Sequence, residues 1–248
     1  MSVRVIKGLA AARTHLAKLR AGEETVLPES VLARLRAIFG REISAQKAVG
    51  QIISDVQRNG DAALRDYTQR IDGVSLERFA AEAETIQAAY RAATGELRQA
   101  LQLAANRIRA FHEREPCQSW LEWDDEGSAL GQMIKPLLRV GVYVPGGTAA
   151  YPSSLLMAVI PAQVAGVKEV LVTTPPGPQG TGAAAILAAA HVAGIERVFL
   201  LGGAQAIAAM AYGTESVPQV DKIVGAGGLF VTLAKKSVYG DVGIDGLY

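Results

Sequence analysis

Residues 165–174, AGVKEVLVTT, return as AGIERVFLLG at residues 193–202, an offset of 193 − 165 = 28 positions. In each copy a glycine follows an alanine-rich helical segment and suits a left-handed C-cap. A charged pair comes next, and then an apolar run able to enter a sheet. A period near the ~30 residues of a strand-helix-strand unit predicts parallel strands joined by helical crossovers. The expected fold is therefore α/β: a helical N-terminal region followed by an incomplete Rossmann-like parallel sheet with helices on both faces. DKIVGAGGLF, at 221–230, supplies a further strand and turn.

Upstream of the repeat, apolar residues recur at spacings of three and four in SAQKAVGQIISDVQRNGDAALRDYTQRI and GELRQALQLAANRIRAFHERE, which predicts helices across the first 115 residues. Ser44 reads as an N-cap, and Gly60 and Gly73 sit where helices end. A composition shift around REPCQSWLEWDDEGSALGQ precedes a β-rich stretch. A boundary near residue 140 is expected, giving a mainly helical region with a short β segment at 1–140 and a sheet domain at 141–248. Asp124, Asp125 and Glu126, followed by Gly127, read as a solvated turn and not as a carboxylate site.

The chain's 248 residues, half of them hydrophobic and 20% charged, can fill a sizeable core. With 25 basic against 24 acidic side chains, no global field favours nucleic acid or an anionic membrane. The apolar stretch YPSSLLMAVIPAQVAGVKEVLVTT is interrupted by Pro161, Gln163, Gly166, Lys168 and Glu169 before it reaches the ~20 residues of a membrane span. A soluble protein is expected, with neither nucleic acid nor membrane as partner. The single cysteine, Cys117, excludes an internal disulfide framework, and no cleavable leader is evident, so a cytoplasmic location is expected.

Glycines follow three predicted strands, in YVPGG (143–147), at Gly202 and Gly203, and in VGAGGLF (224–230). That places them on the carboxyl edge of the sheet, where helix N-termini offer N–H groups to phosphate or carboxylate. No turn has the full G-x-G-x-x-G spacing, and no acidic residue is clearly placed for a ribose. Tight helix–strand packing alone also demands such glycines, but three turns on one edge favour a small anionic ligand. Gln205 is either an amide at the mouth of a turn or a cap for the following helix. Tyr143 is either a buried aromatic with its hydroxyl satisfied or a ring lying against a ligand.

Metal and nucleophile chemistry lack their patterns. His15, His112 and His191 lie on separate predicted helices without an H-x-x-H pair, so no zinc site is expected within the chain. G-x-S-x-G and P-loop motifs are missing, and the serines of YPSSLLMA read as helix caps.

The stretch VGVYVPGGTAAYPSSLLMAVIPAQVAGVKEVLVTTPP, then GGAQAIAAMAYGTESVPQVDKIVGAGGLFVTLAKKSVYG and GIDG, closely resembles histidinol dehydrogenase over roughly residues 130–245. The resemblance implies an NAD-dependent, zinc-containing homodimer that oxidises L-histidinol through the aldehyde to L-histidine, the last steps of histidine biosynthesis. It places nicotinamide cofactor contacts on Tyr143 and Gln205, with Gly202 and Gly203 letting the backbone approach the dinucleotide. Where the family shows G-P-G-N, this chain has Gly225, Ala226, Gly227 and Gly228, so Gly228 replaces an asparagine that helps hold the cofactor. The family's zinc ligands and its Glu-His acid/base pair correspond to positions past Tyr248. No catalytic or metal residue is therefore expected within the chain, and the chain alone is expected to be inactive. The alternative is a non-catalytic nucleotide-binding or interaction module.

Overall fold

A computed structural model describes residues 5–20, 27–115, 118–146 and 150–247. It divides into two compact units, Met1–Ile43 and Ser44–Tyr248. The first contains α1 (Leu9–Arg20) and α2 (Glu29–Phe39). Pro28 opens α2, where its missing N–H is no loss, and Gly40 closes it at φ 67° with its N–H on the Arg36 carbonyl.

In the second unit the elements run α3 (Ala45–Tyr67), a π-helical turn (Thr68–Asp72), β1 (Ala80–Glu82), α4 (Ala83–Ala92), α5 (Gly95–His112), β2 (Trp120–Trp123) and β3 (Ala129–Gln132). The alternating part follows: β4 (Arg139–Tyr143), α6 (Pro152–Val164), β5 (Glu169–Thr173), α7 (Ala184–Val192), β6 (Arg197–Phe199), α8 (Gly203–Tyr212), β7 (Lys222–Val224), α9 (Leu229–Val238) and β8 (Gly243–Ile244). The main sheet has the order β1-β6-β5-β4-β7-β8, parallel except where β1 runs antiparallel to β6. From β6 to β8 this is the 3-2-1-4-5 part of a Rossmann sheet, with the order reversing at β4. The expected α/β class and parallel sheet are observed.

The repeat folds as its glycines predict. Gly166 and Gly194 take φ of 84° and 71°. After α6, Gly166 N–H bonds Gln163 O and Val167 N–H bonds Ala162 O; after α7, Gly194 N–H bonds His191 O and Ile195 N–H bonds Ala190 O. Both are Schellman endings, each leading the chain into the strand that follows. Register then pairs Val142 with Val172 and Val172 with Val198.

α7 and α8 are buried almost all round, through Ala188, Ala189 and Ala190 in one and Ala206, Ala208 and Ala209 in the other. Such helices need cover on both sides. The N-terminal helices provide it, with α4 on α7, α5 on α6, and α3 on α8 and α9. On α3 the buried side chains Val49, Ile52, Ile53 and Val56 recur at three and four, each contributing about 1.5–3 kcal/mol when fully buried. The boundary expected near residue 140 falls inside this unit, between β3 and β4, and helices from both sides of it share one core.

Other local expectations meet mixed outcomes. Ser44 caps α3 by accepting the Lys47 N–H, and Gly73 ends the π-helical turn at φ 74°. Gly60 also ends a helix: at φ 51° and ψ −130° it closes the first of the two helical segments that make up α3, the second starting at Asp61. The serines of YPSSLLMA are not caps, because Pro152 is already the first residue of α6 and no side chain caps that end. Among the described residues no helix is long and apolar enough to cross a membrane.

Candidate functional site

Three glycine turns leave the carboxyl ends of β4, β6 and β7. β4 is the pivot, with β7 beside it and β5 between it and β6. The apolar run Val140, Val142, Val144 is buried, and alternation would send Tyr143 to the opposite face of the strand. From there the Tyr143 hydroxyl accepts the Gly203 N–H at 3.2 Å. Gly203 is the first residue of α8, which has no side-chain cap of its own, so the tyrosine satisfies one of the donors a helix start leaves unpaired. Tyr143 is only 5% exposed. Burial pushes its hydroxyl up to about 12; the Gly203 N–H opposes this and the Asp72 charge adds to it.

The backbone of Tyr143 also meets the third turn. Gly225 sits at φ 109°, and a Cβ there would collide with the Tyr143 carbonyl oxygen. Lys235 of α9 holds this turn from behind. Its ammonium, 2% exposed, donates to Gly225 O at 3.0 Å and pairs with Asp245, whose other oxygen accepts the Gly225 N–H at 2.8 Å.

The glycine pair is accounted for by the protein's own packing. At Gly202 a Cβ would lie 2.8 Å from Pro175; at Gly203 φ is 59° and a Cβ would lie 2.9 Å from Gln205 Oε1. Gly228 differs. It is the N-cap residue of α9, with no side-chain cap, and open space lies where its Cβ would be.

Gln205 does not cap α8. Its side chain is fully buried, with Nε2 pointing to Asp72 Oδ2 at 3.5 Å and Oε1 without a partner among the described residues. A flipped amide would set oxygen against carboxylate, so Asp72 fixes which end faces which way. Thr174 Oγ1, just past β5 and next to Gly146, is likewise buried without a partner among the described residues. Orphaned buried acceptors of this kind are uncommon, and two of them lie at the edge where the turns meet. With the open N-terminus of α9, they fit a ligand that brings hydrogen-bond donors and an anionic group, as a dinucleotide does.

The remaining candidates have structural roles. Asp124 Oδ1 accepts the N–H groups of Glu126 and Ser128, making the exposed turn expected there. His191 packs its ring against Tyr90 at 4.4 Å between centroids, and His112 bonds Glu115. His15 lies on α1. Cys117 lies outside the described residues. Among the described residues no three His, Cys, Asp or Glu side chains are grouped to hold a metal.

Y-G-T-E-S, residues 212–216, turns out to dock on the break in α3. Thr214 Oγ1 and the N–H and Oγ of Ser216 all donate to the Asp61 carboxylate, while Glu215 accepts the Asp61 N–H at 2.8 Å. The break carries glycine because φ there is 51°, a conformation side chains rarely adopt; a Cβ would also meet the Glu215 carboxylate. Burial pushes Asp61 up, but the bonds from Ser216 and Thr214 outweigh it and hold the carboxyl below its usual range.

Three polar participants were missed in the sequence: Asp72, Thr174 and Lys235. Lys235 did carry a signal, because Val231, Ala234, Lys235 and Val238 share the buried face of α9 at three-four spacing. A lysine on such a face needs an acidic partner. Asp72 and Thr174 carried none, since their importance arises only when distant segments meet.

Comparison with known proteins adds the lineage. The family model described as histidinol dehydrogenase matches residues 39–248. The chain is 49% identical over 242 residues to the histidinol dehydrogenase of Deinococcus radiodurans, covering 96% of this chain and 54% of that protein. It is 53% identical over 202 residues to that of Syntrophotalea carbinolica, covering 81% and 47%. The crystal structure of histidinol dehydrogenase from Elizabethkingia anophelis superposes with a TM-score of 0.79 at 34% identity, over 90% of this chain and 52% of that one. The chain thus spans about half the length of the curated relatives it matches.

Proposed function

The chain belongs to the histidinol dehydrogenase family, and on that premise we propose that it forms the cofactor-side part of an NAD-dependent oxidoreductase that converts L-histidinol to L-histidine. The reading is carried by one observation: an uncapped helix start at Gly228 opens beside a sheet edge that also buries two unpartnered acceptors, Gln205 Oε1 and Thr174 Oγ1. NAD, when bound, supplies the hydride acceptor. Gly228 and the α9 N-terminus would receive its anionic part, and Gln205 and Thr174 would accept from its donor groups.

The chain's own residues build this edge. Tyr143 secures the start of α8, Asp72 orients the Gln205 amide, and Lys235 with Asp245 fixes the Gly225 turn so that the α9 N-terminus faces outward. Alcohol oxidation further needs a base for the hydroxyl proton and, in this family, zinc to hold the substrate. The described residues supply no grouped ligands for it, so the chain by itself is proposed not to turn over. Homodimerisation and a cytoplasmic location follow from the same kinship as proposals.

A second reading, a nucleotide- or anion-binding module without turnover, is favoured by the glycine turn at 225–228, whose last residue leaves the α9 N-terminus without a side-chain cap. An assay of the purified chain with zinc, NAD and histidinol tests the lack of turnover that the two readings share. No NADH above a metal-free blank is expected; steady NADH formation would overturn the proposed inactivity.

A further inference from the structure

Thr174 comes directly after β5, the neighbour of the pivot strand β4, and its N–H bonds Phe199 O at 2.9 Å. Its side chain is fully buried, yet Oγ1 has no partner among the described residues. An unpaired buried hydroxyl weakens a fold, and valine fills the same outline without that cost. The hydroxyl lies against the turn that leaves β4. A Cβ on Gly146 would sit 3.1 Å from Oγ1, close to hydrogen-bond distance, so the bare glycine leaves a donor room to reach it. Thr173, one residue earlier, turns its own hydroxyl to Met210 Sδ instead.

In a Rossmann sheet the strand after the first glycine turn carries the group that reads the adenosine ribose: an acid accepts the 2′-hydroxyl, or an arginine holds a 2′-phosphate. Here that strand is β5, and residues 170–195 contain no Asp, Glu, Lys or Arg. Thr174 stands at its end. We propose that Thr174 is the specificity-determining residue of the cofactor edge: its hydroxyl accepts from the 2′-hydroxyl of the adenosine ribose. A 2′-phosphate would enter the same place without a cation to pair it, which is costly where water is excluded. The assignment rests on the reading of this edge as an NAD site, and adds to it which nucleotide group sits at β5 and why a phosphorylated cofactor is refused.

Three ligands and one substitution test it by calorimetry: NAD, NAD lacking the 2′-hydroxyl of its adenosine ribose, and NADP, each titrated into the parent chain and into Thr174→Val. The parent is expected to bind NAD about fivefold to tenfold more tightly than the 2′-deoxy analogue, the worth of one hydrogen bond, and NADP more weakly than either. Thr174→Val should bind NAD and the analogue equally, both at the parent's level for the analogue. Its melting temperature should not fall, because the substitution removes an unpaired hydroxyl from the core. A parent chain that binds NAD and the analogue alike, or NADP as tightly as NAD, would overturn the proposal and leave the cofactor site standing. So would a Thr174→Val variant that weakens both ligands equally, or one that melts lower, since the hydroxyl would then serve the fold. No binding of any ligand by the parent would remove the cofactor reading, and this proposal with it.

Discussion

The hydroxyl of Tyr143 and the N–H of Gly203, 60 positions apart, meet at 3.2 Å, tying the end of β4 to the start of α8. Tyr143→Phe leaves that N–H buried without a partner, which costs about 1–3 kcal/mol. Urea unfolding is expected to report a lower midpoint with an unchanged slope. A midpoint equal to that of the parent chain would show that the bond contributes nothing.

The same hydroxyl gives stability an alkaline limit. Its folded pKa, about 12, lies above the ordinary value of about 10. The stabilisation is therefore complete below about pH 10 and is lost as pH rises through the folded value. Tyr67 and Tyr212 are raised too, by burial first and then by Asp55 and Asp241. Tyr143→Phe should make the alkaline fall in stability shallower without abolishing it.

The fold was legible in the sequence wherever a pattern repeats over many residues: the echo at 165 and 193 yielded the parallel strands, and three-four spacing yielded α3 and α5. β1 and β8, of three and two residues, hold no local pattern and exist because a neighbouring strand pairs with them. At the site, the glycine turns were legible because positive φ and close approach demand glycine. What fills the space was not: Pro175 against Gly202 and Glu215 against Gly60 come from sequence-distant segments. Tyr143 and Gln205 stayed ambiguous because a side chain's partners depend on where the neighbouring turns lie.

Asp61 sets the acid limit. Its folded pKa is depressed, so the stabilisation it provides is present above the unfolded value of about 3.9 and is lost as pH falls through the folded value. Asp61→Asn should lower stability at pH 7 and flatten its fall as pH drops below the ordinary carboxylate value of about 3.9. An acid limb of undiminished steepness in the variant would assign it to other carboxylates.

Breaking the Lys235–Asp245 pair leaves a charge without its counter-charge, a loss on the order of 3 kcal/mol when that charge is buried. Asp245→Asn keeps an acceptor for the Gly225 N–H but leaves the ammonium buried, so it should destabilise more than Lys235→Met, whose bare carboxylate sits on a less buried residue. Thermal unfolding of both variants checks the order.

Calorimetric titration with NAD of the parent chain and of Gly228→Asn tests the proposed cofactor edge most directly. Residue 228 has open space and a φ of −73°, so asparagine enters without strain. One saturable site is expected, bound about fivefold to tenfold more tightly by the variant, as one added hydrogen bond of about 1 kcal/mol provides. No heat from either protein at millimolar NAD, or binding indifferent to residue 228, would contradict the account.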